Sequence, residues 1–350
     1  MTDTTATGAE RQPIALTRKD FVSDQEVRWC PGCGDYSILA QTQRVMPDFG
    51  YPRENIVFIS GIGCSGRLPY YMNTFGFHSI HGRAPTLATG LKLARPDLMV
   101  WVITGDGDAL SIGGNHVLHA MRRNVDIKLV MFNNRIYGLT KGQVSPTSLL
   151  GQKTKTTPHG SPDYPFNAPA LALGAGATFV ARSLDVEGAH LGGVIAAAAS
   201  HKGSTFVEVF QNCPVFNDGA FTFLTDKAVK TEALLRMEAG KPLVFGKDGK
   251  KGIRFNGQTA ELEVVTIGEN GVTEKDILIH DPSRSDPTIA FMLANLSDRA
   301  GFPTPIGIFR DIRKATADEM TWEMIRAAKA KKGDPSLVKF LSDSDTWQVK

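Results

Sequence analysis

Residues 100–108 read Val-Trp-Val-Ile-Thr-Gly-Asp-Gly-Asp, and the pair Asn133-Asn134 follows Gly107 after 25 intervening residues. The apolar run from Val100 to Ile103 has the length and β-branched content of a buried strand. A helix-like stretch from about Asn115 to Arg123 follows, and Ile127 to Phe132 makes a second strand. This is one β-α-β unit, with both polar motifs at strand carboxyl ends. Upstream, Ile56-Val57-Phe58-Ile59 is another strand-like run, ending in the sharply turning Gly61-Ile62-Gly63-Cys64-Ser65-Gly66. Small and apolar residues recur at helical spacing from Arg83 to Ala94, and Pro96 closes that segment. Downstream, helix-like Leu171 to Ala175, strand-like Ala177 to Ala181, Ala-rich Ala189 to Ser200 and strand-like Thr205 to Phe210 lead to Cys213. Such alternation predicts an α/β fold, a parallel sheet covered by helices on both faces. Ligands of such sheets bind at the carboxyl ends of strands. Gly61 to Gly66, Gly105 to Asp108, Asn133 to Gly138 and Cys213 should therefore share one edge.

Three stretches are expected: a flexible polar arm over residues 1–20, the α/β domain over 21–225, and a small appendage over 226–350. The appendage has Lys-Gly and Asn-Gly turns between Gly246 and Gly257, alternation at Leu262-Glu263-Val264-Val265, and helix-like Ala317 to Lys331. It carries no cysteine and no recognisable motif. With 42% apolar and 21% charged residues, the chain of 350 residues is too apolar for disorder and large enough to bury a core. A formal charge of +3 predicts no nucleic-acid surface. No run of about 18 apolar residues occurs, and Met1 to Arg11 lacks the apolar core of a signal peptide. The expected compartment is the cytoplasm, away from membranes.

Glycines at a strand end let the backbone approach a phosphate, and the N-terminus of a following helix supplies amide donors. The Asp106 carboxylate and the Asn134 amide oxygen are hard ligands suited to a magnesium ion bridging two phosphates, and a backbone carbonyl near Ile136 would complete the set. Taken alone, Gly-Asp-Gly is merely a turn and Asn-Asn merely a strand end. Their joint spacing and context favour a diphosphate site, and the pattern resembles the thiamine diphosphate signature. That likeness implies magnesium held by Asp106, Asn134 and the Ile136 carbonyl.

Only four cysteines are present. Cys30-x-x-Cys33 brings two thiolates to one centre, and Cys64 and Cys213 follow separate strand-like segments from which they can converge. Four soft ligands suit zinc or a four-iron cluster. Zinc ribbons usually take two close cysteine pairs, whereas Cys64 and Cys213 are singletons, so the pattern favours the cluster. A structural zinc site, or unliganded thiols, is the competing reading.

The sequence resembles the β subunits of the 2-oxoacid:ferredoxin oxidoreductases over roughly residues 25–225. The likeness lies in Trp29-Cys30-Pro31-Gly32-Cys33-Gly34, Gly61-Ile62-Gly63-Cys64-Ser65-Gly66, His81-Gly82-Arg83-Ala84, Gly105-Asp106-Gly107-Asp108, and the run from Gly138 to Thr147. It implies the thiamine-diphosphate-binding fold and one 4Fe-4S cluster on Cys30, Cys33, Cys64 and Cys213. It also implies a cofactor surrounded by Gly63, Ser65, His81, Gly105, Asp106, Gly107, Asp108, Asn134, Ile136 and Gly138. His81 and Arg83 would reach the diphosphate or only cap a helix. The chain lacks the ferredoxin-like cluster domain of the long pyruvate enzymes, so electrons would pass directly to an external ferredoxin.

Activation of thiamine diphosphate needs a carboxylate from a pyrimidine-binding domain, and no second such domain occurs here. An α subunit supplying that glutamate is the implied partner, two α with two β, and the isolated chain should be inactive. The resemblance places Arg67 and the Leu139-Thr140-Lys141 turn near the oxoacid side chain. Cations there would pair with a second carboxylate at about 1.5 to 3 kcal/mol, favouring a dicarboxylic acid. The expected reaction is oxidative decarboxylation of 2-oxoglutarate with coenzyme A, giving succinyl-CoA and carbon dioxide. Arg67 and Lys141 would otherwise be solvated charges or phosphate contacts. The competing functions are use of pyruvate or a branched-chain oxoacid, a non-oxidative thiamine enzyme, and a zinc- or cluster-stabilised binding protein.

Overall fold

The computed structural model describes residues 15–333, 336–343 and 347. The apolar runs become strands: β1 (Ile56–Ser60), β3 (Met99–Gly105), β4 (Lys128–Asn133), β5 (Phe179–Leu184) and β6 (Thr205–Phe210), with every residue of β1, β4, β5 and β6 buried. With β2 (Phe75–His78), β7 (Leu234–Met237) and β11 (Thr304–Asp311) they form an eight-stranded sheet in the order β2-β1-β3-β4-β6-β5-β11-β7. The neighbours β2, β1, β3, β4, β6 and β5 all run parallel. The expected all-parallel sheet needs one correction, because β11 lies antiparallel to β5 and parallel to β7. The sheet is mixed.

Period-two alternation sends side chains to two cores, one on each face. On one face Val57, Val100, Val102, Leu129 and Met131 pack with α2 (Ala84–Ala94), α4 (Gly114–Arg122) and α5 (Ala168–Gly174). On the other, Phe58, Trp101, Ile103, Phe132 and Val207 pack with α1 (Asp35–Val45) and α6 (Gly188–Ser200). Phe58 and Trp101 stack with ring centroids 5.8 Å apart. Each large side chain so buried contributes about 1.5 to 3 kcal/mol. The short α3 (Asp106–Leu110) starts where β3 ends.

Beyond residue 225 the chain does two things. After the short α7 (Thr222–Thr225) and α8 (Lys230–Ala233), β7 and later β11 extend the main sheet. Between them β8 (Val244–Phe245), β9 (Lys251–Asn256) and β10 (Glu261–Thr266) make a separate three-stranded antiparallel sheet. Its Phe245, Ile253 and Leu262 share the first core with α9 (Thr288–Ala294). Helix α10 (Ala317–Lys332) starts with a capping box between Thr316 and Glu319, and the Trp322 indole donates to the Leu93 carbonyl at 2.9 Å, holding α10 against α2. A short α11 (Leu337–Ser342) follows.

Most of the expected polar arm, residues 1–14, lies outside the described residues, but its end is ordered as a 3-10 turn, Arg18–Phe21, with Phe21 fully buried. Among the described residues no helix is long and apolar enough to cross a membrane.

Candidate functional site

Parallel pairing of β1, β3, β4 and β6 carries their four following loops to one sheet edge. Asp108 braces the first of these loops. Its Oδ1 accepts from the Ile62 amide at 3.1 Å and the Gly82 amide at 2.7 Å, and its Oδ2 accepts from the Thr104 hydroxyl at 2.7 Å. A Cβ on Gly61 would fall 1.7 Å from Asp108 Oδ2, so that position admits only glycine. Asp108 lines the cavity, and the three donors its oxygens accept from make it a brace for the surrounding loops.

A cavity at this edge is lined by all ten residues expected around the cofactor, from Gly63 through Gly138, with His81 at an exposed position. Within it Asp106 is buried. The Ser145 and Thr147 hydroxyls lie 2.6 and 2.5 Å from its Oδ2. Both contacts fall on one oxygen, so they orient the carboxylate without occupying Oδ1. Burial pushes the Asp106 carboxyl up to about 6 against the lowering pull of those hydroxyls. The Thr147 hydroxyl also contacts Asn133 Oδ1 at 2.9 Å, the Asn133 amide donates to Glu208 at 2.7 Å, and Arg182 pairs with Glu208 at 2.6 Å. A continuous buried network therefore runs from β5 to Asp106. Asn134 Oδ1 accepts from the Ile136 amide at 3.1 Å, and the Asn134 carbonyl accepts from Asn217 at 2.8 Å. This Asx turn fixes the Asn134 side chain through one lone pair of Oδ1. The Gly107 backbone faces Tyr137, whose ring a Cβ would meet at 2.1 Å and whose hydroxyl donates to the Gly107 carbonyl at 3.2 Å. That glycine accommodates a side chain of the protein.

The fit to a bound diphosphate shows in what is left unpaired. Ser65 is buried at 3% exposure and its hydroxyl has no partner. Such a donor is costly unless a ligand takes it.

A second cavity, of about 330 Å³, is lined by Cys30, Cys33, Cys64 and Cys213. The Trp29 indole donates to the Cys64 carbonyl at 2.8 Å and the Gly34 amide to the Asn212 carbonyl at 3.2 Å, tying the Cys30–Cys33 turn to the loops of both singletons. Among the described residues no group of three or more His, Cys, Asp or Glu side chains is disposed to hold a metal ion. Four cysteines on the wall of one cavity give a soft donor set open to zinc or to a four-iron cluster. Burial pushes the Cys64 thiol up to about 12 and the Cys33 thiol higher still, with Asp35 and neighbouring sulfurs adding to both shifts. Burial there favours the neutral thiol unless a cation lies beside it.

The two cavities share a wall made of Cys64, Asn134, Gly138, Leu139 and Gln211. Arg67 and Lys141 line the cysteine cavity, and Arg67 donates to the Arg28 carbonyl at 2.6 Å. Arg83 occupies the N-cap position of α2 without a side-chain cap hydrogen bond, and its guanidinium donates to the His81 carbonyl at 3.2 Å.

Sequence reasoning passed over Asp35. It opens α1, lines the first cavity, is 1% exposed, and has no polar partner but the neighbouring Cys33 thiol. Burial pushes its carboxyl up to about 7, with the Cys33 thiol pulling against the rise and the Asp185 charge adding to it. The available signal was an acidic residue directly after Cys33-Gly34, in a helix otherwise directed at the core. Ser145 and Thr147 were quoted within a motif but not given their role toward Asp106.

The model of the thiamine pyrophosphate enzyme family's C-terminal TPP binding domain matches residues 61–209. Over 333 residues the chain is 53% identical to 2-oxoglutarate oxidoreductase subunit KorB of Mycobacterium tuberculosis, covering 95% of this chain and 88% of that one. It is 47% identical over 192 residues to a 2-oxoacid:ferredoxin oxidoreductase subunit beta of Saccharolobus solfataricus, covering 54% of this chain and 63% of that one. A solved structure of the 2-oxoglutarate:ferredoxin oxidoreductase from Magnetococcus marinus, with 2-oxoglutarate, coenzyme A and succinyl-CoA bound, superposes with a TM-score of 0.74 at 32% identity. That match covers 95% of this chain and 97% of the other.

Proposed function

The chain belongs to the β subunits of the 2-oxoacid:ferredoxin oxidoreductases, and from that premise we propose that it serves the oxidative decarboxylation of 2-oxoglutarate to succinyl-CoA and carbon dioxide. The observation that carries this reading is the shared wall. A cavity suited to a diphosphate cofactor and a cavity ringed by four cysteines meet across Cys64, Gly138 and Gln211. A non-oxidative thiamine enzyme has no use for the second cavity, and a scaffold protein has no use for the first.

Asp106, Asn134 and the Ile136 carbonyl would hold magnesium, and Ser65 would donate to the diphosphate. Asp35, buried in the wall of the first cavity and facing the Cys33 thiol, would receive a donor of the bound cofactor. Cys30, Cys33, Cys64 and Cys213 would hold one 4Fe-4S cluster. When bound, thiamine diphosphate supplies a carbanion centre and the cluster supplies one-electron acceptance. The protein's own part is to orient both, through the network ending on Asp106 and the brace of Asp108. Leu139, Arg67 and Lys141 would flank the oxoacid. The activating glutamate would come from an α subunit, in an assembly of two α with two β, and electrons would pass to ferredoxin in the cytoplasm.

The test is anaerobic co-purification with the α subunit, metal analysis, and assay of coenzyme A-dependent ferredoxin reduction. About four irons per chain and preference for 2-oxoglutarate over pyruvate are expected. Stoichiometric zinc without iron removes the electron-transfer reading. Preference for pyruvate removes the substrate assignment alone.

A further inference from the structure

Gln211 is the one side chain of the shared wall that donates to a cysteine sulfur among the hydrogen bonds of the described residues: its amide nitrogen lies 3.3 Å from Cys33 Sγ. It is 1% exposed and follows directly on β6, where its backbone amide donates to the Asn133 carbonyl at 2.9 Å. Its stem packs under Gly34, where a Cβ would meet Gln211 Cγ at 2.8 Å. The same amide nitrogen also donates to the Asn212 carbonyl. Both neighbours of that nitrogen are acceptors, which sets the orientation of the amide: the NH₂ end faces Cys33 and the carbonyl of Asn212. The side chain is thus held at its base, along its stem and at its tip.

Given the cluster proposed above on Cys33 and its three companions, we propose that Gln211 is a positioning residue for electron transfer, whose N–H···S bond makes the cluster easier to reduce. One electron entering the cluster adds one negative charge, part of which falls on the thiolate sulfurs. A fixed donor on one sulfur stabilises the more negative state and so raises the reduction potential. When bound, the cluster would take the two electrons of each oxoacid oxidised one at a time and pass them to a one-electron carrier protein. The donor therefore sets the driving force of both transfers, without touching the reacting carbon.

The experiment is a redox titration of the anaerobic α/β complex followed by electron paramagnetic resonance. Gln211→Met keeps length and bulk but offers no donor. Gln211→His restores a ring N–H on a shorter stem. At a fixed potential, the reduced-to-oxidised ratio should fall about tenfold in Gln211→Met, about 59 mV for one electron, with iron content unchanged, and by less in Gln211→His. An unchanged potential in Gln211→Met overturns the proposal, as does an equal fall in both variants, which would trace the shift to altered packing. A wild-type complex labelled with ¹⁵N in the glutamine side chain needs no variant. Pulsed resonance of its reduced cluster should show a weakly coupled ¹⁵N, and absence of that coupling overturns the bond even if a variant fails to assemble. A complex without iron refutes the cluster reading itself, an outcome separate from a cluster whose potential ignores Gln211.

Discussion

Asp106 and Asp108 stand two positions apart in one motif and do different work, which no motif match distinguishes. Asp108 satisfies three donors from three segments, so Asp108→Ala leaves buried groups unpaired at about 1 to 3 kcal/mol each. Its melting temperature should fall and the cavity should slacken. Asp106→Ala should lose thiamine diphosphate affinity, read by calorimetry on the complex, while iron per chain stays at the wild-type value. Retained affinity would reduce the motif to a turn. If Arg67 and Lys141 hold the distal carboxylate, neutralising either should cost 2-oxoglutarate roughly 30-fold or more in kcat/KM, since losing one partner of a desolvated charge pair costs about 2 to 5 kcal/mol. Pyruvate turnover should stay near the parent value, and equal losses for both acids would detach these cations from substrate choice. At this scale the sequence was legible wherever spacing encodes geometry, as for Asp106 and Asn134. It was silent on Asp35, whose signal is burial of a carboxyl without a cationic partner, a property of the fold and not of a pattern.

Elements were legible in proportion to their burial. β1, β3, β4 and β6 are apolar runs of strand length because both their faces are covered, and β6 spans the residues expected of it, Thr205–Phe210. β2 was not legible: all four of its residues are exposed, it sits at the sheet edge, and Phe-Gly-Phe-His has no polar alternation to betray a half-buried strand. β7 is too short to read, and β11 lies in the segment expected to be an appendage yet pairs between β5 and β7. Parallel pairing was inferred from alternation of strand and helix, a rule that does not cover a strand arriving from a distant segment. α10 offers a test at this scale. Thr316 is buried and its hydroxyl accepts from the Glu319 amide at 3.2 Å. Thr316→Ala should cost about 1 kcal/mol, visible as a lower urea midpoint with unchanged slope. No shift would mean that Trp322 and the core hold the helix without its cap.

The molecule as a whole joins the unit of β3, α4 and β4 to helix α10 through one buried charge cluster just before β4, at the opposite end of that strand from Asn133. Asp126 pairs with Lys128 at 2.7 Å, with Lys92 of α2 at 3.1 Å, and with Lys202 beyond α6 at 3.4 Å. Its backbone amide donates to Asp318 of α10 at 3.1 Å. Burial alone would raise the Asp126 carboxyl, but Lys128 and Lys92 outweigh it and hold the group far below the usual carboxylate range. Burial also draws the Lys128 amine downward despite Asp126, so removing the carboxylate strands two buried amines. Asp126→Asn should therefore cost about 3 to 5 kcal/mol near neutral pH. The sign of its pH dependence follows from the depressed value in the fold. Stabilisation by Asp126 is complete above the unfolded value of about 3.9 and fades as pH falls through the lower folded value. The gap in unfolding free energy between wild type and Asp126→Asn should accordingly stay constant from pH 7 to about 5 and narrow below about 4. A gap that stayed constant into acid would show that shape, and not charge, makes this junction between the sheet and its C-terminal helix.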